Sequence, residues 1–364
     1  MSQITREQVV TALSRVIEPI LQKDLVSLNL VKNIEIKGGS VICTLTLTTP
    51  ASALREQIKA DVTEAVQAVG VDAVTVKFEP RVPADSRLLS KMNIGVRNAV
   101  AVASGKGGVG KSTMSANLAL SLALDGASVG LLDADLYGPN IPMMMGVNER
   151  PRGQHNKILP LEAYGVKLMS MGFLVDPNQA VIWRGPMIHN ALRQFLQEVE
   201  WGDLDYLVVD LPPGTGDASL SLAQSLSLTG TVIVTTPQKV ALSDVVRGVQ
   251  MFEQLNVPIL GVIENMSYFV ASDTGKRYDI FGHGGGASMA KEVGVEFLGE
   301  VPLEPEVRIG GDEGSPIVVR DPNSTAAQSI RAIARKIAAA VTVQNIANAP
   351  SQQVQGDPVL KILN

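Results

Sequence analysis

Residues 104–113 read SGKGGVGKST, set between an apolar run, AVAVAS at 99–104, and a helical pattern, MSANLALSLAL, that begins at Met114. Strand, glycine-rich turn and helix is the order that a phosphate-binding loop requires. Gly105, Gly107, Gly108 and Gly110, with Val109 among them, let the backbone turn without Cβ clashes, so successive N–H groups and the helix N-terminus face phosphate oxygens. Lys111 then meets the β- and γ-phosphates, the Ser112 hydroxyl ligates Mg²⁺, and Thr113 ends the binding segment. A bare Gly-x-Gly-x-x-Gly fits a ligand-free turn equally well. The Lys-Ser-Thr ending in this context weighs strongly against that reading.

Outward from the loop, apolar strands alternate with helical patterns: SVGLLDAD, VKLMSM, YLVVDLP, TVIVTTP, ILGVIEN and EFLGEVP. Such alternation predicts an α/β fold, a doubly wound and mostly parallel sheet of the P-loop NTPase kind. Two carboxylate clusters fall at predicted strand ends, where open α/β sheets bind ligands. Asp133 and Asp135 end one strand; Asp210 follows an apolar run and precedes Gly214. Asp210 suits a water-mediated hold on Mg²⁺, and Asp135 suits orienting the attacking water, although either residue type also caps helices. No Asn-Lys-x-Asp guanine-reading pattern is present, and Asn265, at the end of ILGVIEN, has an amide to offer a purine edge. ATP is the expected nucleotide.

Before the loop the pattern differs. Residues 4–21 have helical spacing with a capping-box start at Thr5 and Gln8, NIEIKGGSVICTLTLTTP reads as a hairpin about Gly38 and Gly39, SALREQIKADVTEAVQAV is helical, and AVTVKFEP is a strand. The predicted division is a small α+β domain at 1–80, a linker at 81–97, the ATPase domain at 98–345 and a fraying tail at 346–364.

The composition narrows the function classes. A net charge of −5 with no basic block argues against a nucleic-acid partner. With no signal-peptide pattern and no apolar run of about 18 residues, no membrane partner is expected and the cytoplasm is the expected location. The single cysteine, Cys43, excludes an intrachain disulfide framework.

Taken together, ASGKGGVGKST, LLDADLYGPNIPMMMG, WRGPM, VVDLPPGTGDASLSL, TTPQKVALSDVVRG and GVIENMSYFV with DIFGHGGG resemble, in order, the Mrp/ApbC family of P-loop iron-sulfur cluster carrier ATPases, with a SufT-like domain in front. The resemblance implies an ATP-hydrolysing homodimer that passes iron-sulfur clusters to apoproteins. It also implies a deviant Walker A loop in which Lys106 reaches the nucleotide of the partner subunit, so Lys106, Lys111 and Asp135 are the expected catalytic residues. The alternatives are a nucleotide-switched scaffold of the same family without a cluster and, less favoured, a positioning ATPase of the MinD/ParA type.

One stretch departs from the family. Its usual Cys-x-x-Cys after ENMSYFV falls here on Ala271 and Thr274, and its Cys-Pro in the small domain is replaced by Ser52 and Ala53. Iron-sulfur clusters are held by thiolates, so a bound cluster is doubtful. Cys43 shares the parity of Val41, Leu45 and Leu47 and is expected in a core. His283 reads as a loop hydrogen-bonder, His155 and His189 have no partner spacing, and Met143–Met145 read as packing.

Overall fold

The computed structural model describes residues 4–19, 22–28, 30–37, 39–47, 52–80, 82–91, 95–136, 138–154, 157–174 and 185–347. His155 and nearly all of the predicted tail lie outside these residues, as do the side chains of Ser52, Ala53 and His189. Two compact units form: Met1–Pro83 with Thr342–Asn364, and Ala84–Val341.

The small unit contains α1 (Arg6–Leu13), β1 (Val31–Lys37), β2 (Ser40–Leu47), α2 (Ser52–Gln67) and β3 (Ala73–Pro80). The capping box is present: Thr5 Oγ1 accepts from the Gln8 amide and Gln8 Oε1 accepts from the Thr5 amide. The helix stops at Leu13 rather than running to residue 21. Glu18 precedes Pro19, which disfavours helical geometry there, and Ile17–Glu18 instead pairs with Lys23–Asp24. β1 and β2 form the hairpin, Gly39 taking φ 93°, and β3 joins β2 in parallel.

Val41, Cys43 and Leu45 point into one apolar cluster with Val9, Leu13, Ile58 and Val62. Burial pushes the Cys43 thiol up to about 11 from its ordinary 9.0. Two pH units correspond to about 100-fold less thiolate, and the thiolate is the reactive form. Iodoacetamide at pH 8 is therefore expected to label Cys43 at least about 100-fold more slowly in the native protein than in guanidinium chloride. Equal rates in the two solvents would show that the thiol is accessible.

The large unit carries β4 (Ala99–Ser104), α3 (Lys111–Leu124), β5 (Val129–Asp133), β6 (Leu161–Ala163), β7 (Val166–Ser170), α4 (Gly185–Gln197), β8 (Tyr206–Asp210), α5 (Asp217–Ser225), β9 (Gly230–Thr235), α6 (Lys239–Gln254), β10 (Ile259–Glu264), α7 (Gly285–Val293), β11 (Phe297–Glu300) and, as far as Val341, α8 (Thr325–Ala347). Eight strands form one sheet in the order β6-β7-β5-β8-β4-β9-β10-β11, all parallel except β6, which pairs antiparallel with β7. Three residues are too few for β6 to show a period in sequence.

The chain first moves from β4 toward β7 and later runs the other way through β9 to β11. The carboxyl end of β4 therefore lies at the topological switch point, where such sheets open a ligand crevice. Buried Val, Ile, Leu and Ala fill the strands, with α3 packed on β4, β5 and β8, and α6 on β9. Part of the predicted linker is built into this unit. Ser86–Lys91 is helical, Leu88 and Val96 are buried in the large core, and Val96 bridges to Leu204. Its Pro83 and mixed charge hid these two apolar anchors.

Candidate functional site

β4 delivers Ser104 to the crevice, and the glycine-rich loop turns back from it into α3. Two glycines are sterically required. A Cβ on Gly105 would lie 2.5 Å from Asp244 Cβ on α6, and one on Gly110, at φ 85°, would lie 2.2 Å from Asn265 Nδ2. Gly107 and Gly108 instead face open space, as a cradle for a ligand needs. α3 has no acidic residue in its first turn, so its positive end is left uncompensated for an anion. Ser104 Oγ donates to the Lys106 carbonyl at 3.0 Å, and the Gly214 amide donates to the Ser104 carbonyl at 2.8 Å. Gly214 is thus tied to the base of the loop.

Lys111, the first residue of α3, is only 6% exposed. Its Nζ lies 2.7 Å from Asp210 Oδ2, 3.6 Å from Asp135 Oδ2 and 3.2 Å from Ser112 Oγ. Asp210 caps no helix: its carboxylate accepts from Ser112 Oγ and Ser115 Oγ, each at 2.6 Å. Asp135 Oδ1 also accepts from the Gly138 amide at 3.3 Å, so it shapes its own turn while facing the lysine. Asp133 pairs with Asp210 across the β5–β8 ladder and is fully buried. Burial first, then the Asp210 charge, push its carboxyl well above the usual range, against the Ser170 hydroxyl and the Asp135 amide that donate to it.

Lys111 therefore meets two carboxylates, Asp210 and Asp135, in a setting of hard oxygen donors that includes Ser112. That donor set fits Mg²⁺, which Ser112 and Asp210 would hold, and which would neutralise phosphate charge.

The other predicted residues take different places. Lys106 makes no ion pair among the described residues, its Nζ lying 3.4 Å from Gln238 Oε1. Asn265, expected at a purine edge, is buried, and its Nδ2 donates to the Val109 carbonyl at 2.9 Å. One donor of that amide thus braces the loop beside Gly110. Met145 is buried as packing, whereas Met143 is 51% exposed.

Ala271 and Thr274 lie on the turn of a short hairpin, Phe269–Val270 with Arg277–Tyr278. The Ala271 amide donates to the Lys276 carbonyl and its own carbonyl accepts from Gly275. His283 is exposed beside this hairpin, its Nδ1 2.6 Å from Arg277 Nη2. Sequence reasoning missed Ser115, Ser170 and the hairpin itself. Only Ser115 had a signal, since it lies four residues after Lys111 on one helix face.

The doubly wound sheet and the loop-plus-carboxylate cluster at its switch point define a P-loop nucleotide-binding NTPase. The sequence model of the NUBPL iron-transfer P-loop NTPases matches residues 95–338, that of an iron-sulfur cluster assembly protein matches 6–78, and the chain belongs to this iron-transfer NTPase family. An iron-sulfur cluster carrier protein of Synechocystis is 51% identical over 350 residues, covering 93% of this chain and 99% of that protein. One from Deinococcus radiodurans is 49% identical, covering 94% and 97%. Among solved structures, the nucleotide-binding protein of Archaeoglobus fulgidus in complex with ADP is 36% identical, with a TM-score of 0.57 over 66% of this chain and 94% of that one. Among the described residues no helix is long and apolar enough to cross a membrane.

Proposed function

We propose that the chain binds and hydrolyses Mg·ATP as a homodimer in the cytoplasm and uses that cycle to deliver iron-sulfur clusters to apoproteins. The observation that carries the ATPase part is the buried Lys111–Asp210–Asp135 cluster at the foot of a glycine loop whose open side faces the crevice. The loop amides and Lys111 hold phosphate, Ser112 and Asp210 hold the cation, and Asp135 orients water for in-line attack. The family membership supports the carrier role.

Lys106 supports the dimer. Its amine bonds Gln238 Oε1 and makes no ion pair with a carboxylate among the described residues, which leaves it available for a nucleotide held by a second copy. Lys106→Ala is expected to keep ATP binding while reducing both turnover and the ATP-dependent dimer fraction. Asp135→Asn is expected to slow turnover by about 10²-fold or more with binding retained, because a water-orienting group acts mainly in the transition state. Light scattering and phosphate release read these effects. An ATP-independent dimer fraction in parent and Lys106→Ala alike would sink the shared-nucleotide arrangement, and full turnover in Asp135→Asn would reduce that carboxylate to a cap.

A second reading has its own observation. With Ala271 and Thr274 on the hairpin turn and Cys43 buried in the small core, the chain presents no accessible thiolate, which favours a nucleotide-switched scaffold that has lost cluster binding. Iron and sulfide analysis after anaerobic reconstitution separates the two readings.

A further inference from the structure

The carboxyl ends of β10 and β11 bring together groups that the phosphate site does not use. Glu264 and Glu300 are the last residues of these adjacent strands and are Cα partners in the ladder. His283 stands just before α7. One ligand atom from each of the three lies within 4.8 Å of the others. Three ligands with bonds of about 2.0–2.2 Å to one metal ion lie roughly 3.3–3.8 Å apart, so a closure of about 1–1.5 Å at most completes a three-ligand site.

Two further observations point to a cation. Glu264 is fully buried, and its carboxylate accepts only from neutral donors, the Ser267 hydroxyl and the Gly286 amide; it makes no ion pair among the described residues. A buried carboxylate without a counter-charge is costly. Next, Arg277 already places a cation in the cluster, with Nη2 2.6 Å from His283 Nδ1 and 3.7 Å from Glu300 Oε2. A guanidinium only donates, so His283 Nδ1 must accept, and its lone pair faces into the cluster as a metal ligand's would. Arg277 has partners outside the cluster: its side chain is 41% exposed, on the hairpin, with Asp279 at 3.0 Å and the Tyr268 ring at 3.9 Å.

We propose that Glu264, His283 and Glu300 form a binding site for one divalent first-row transition ion, and that Arg277 is the internal cation that competes for it. An imidazole with two carboxylates suits Zn²⁺ or Fe²⁺ better than Ca²⁺ or Mg²⁺. This site is independent of the ATPase reading, because none of its residues touches the phosphate loop cluster.

The test is calorimetric titration of the untagged, full-length, nucleotide-free protein with Zn²⁺, supported by the visible spectrum of the Co²⁺ form. The expected result is one Zn²⁺ per chain. His283→Ala and Glu300→Gln each weaken it by at least about tenfold, and Arg277→Gln tightens it several-fold. Both altered ligands carry partly exposed side chains, so unchanged thermal melting is expected and checks the fold. Zn²⁺ affinity that is the same in parent, His283→Ala and Glu300→Gln overturns the site. So does the absence of binding in both parent and Arg277→Gln, and weaker binding in Arg277→Gln overturns the competition.

Discussion

Lys111→Ala is expected to lower ATP affinity by roughly 100-fold or more, about 2.7 kcal/mol, the largest effect of any single change in the phosphate loop. Two losses combine. The amine proposed to meet the β- and γ-phosphates is gone, and Asp210, 0% exposed, loses the cation 2.7 Å from it. Breaking one side of a buried ion pair costs about 3–5 kcal/mol, so the variant is also expected to melt earlier. Lys111→Arg separates the effects: it keeps a charge near Asp210 and most of the stability, yet its bulkier planar head does not reproduce the ammonium's seat and binding stays weak. Fluorescent-nucleotide titration and circular dichroism melting measure both. ATP affinity undiminished in a folded Lys111→Ala protein would remove the phosphate-loop assignment.

The second large effect is a gain. The parent protein, reconstituted anaerobically, is expected to take up little iron and to show no sulfur-to-iron absorbance. A four-iron cluster needs about four thiolates, and Cys43 lies buried in the small core. Ala271→Cys with Thr274→Cys puts two thiolates on the hairpin turn of each chain, hence four in a dimer, and is expected to yield about four irons per dimer with a brown chromophore. Thr274 is exposed and Ala271 partly so, which leaves both sites reachable. A double variant that stays colourless would mean that this hairpin has departed from the family's geometry as well as from its residues. A full cluster in the parent would mean that ligands other than these carry it.

The sheet and the phosphate loop were legible because their signals are local: an apolar run before a glycine turn and a lysine opening a helix specify positions by spacing alone. Asp210 was legible for the same reason. What stayed hidden depends on pairing between distant segments. Asn265 has the form of a strand-end purine reader, but only the fold shows its side chain against Gly110, with Nδ2 on the Val109 carbonyl. Lys106 and Gln238 lie 132 residues apart, and Ser170 reaches Asp133 from another strand. The helix at residues 4–21 was overextended because its apolar spacing continues past the turn that Pro19 enforces. The edge strand Leu161–Ala163 was too short to register at all.

The end of β10 serves two masters within a few residues. Asn265 braces the phosphate loop through Val109, Glu264 anchors α7 through Gly286, and the hairpin that carries Ala271 and Thr274 starts at Phe269. Such proximity has a thermodynamic corollary. Whatever ion or client protein shifts this strand end toward one setting changes nucleotide affinity by some factor, and nucleotide must change the affinity for that ion or client by the same factor. Cargo and fuel would then each report on the other's occupancy, without any messenger beyond a single strand terminus.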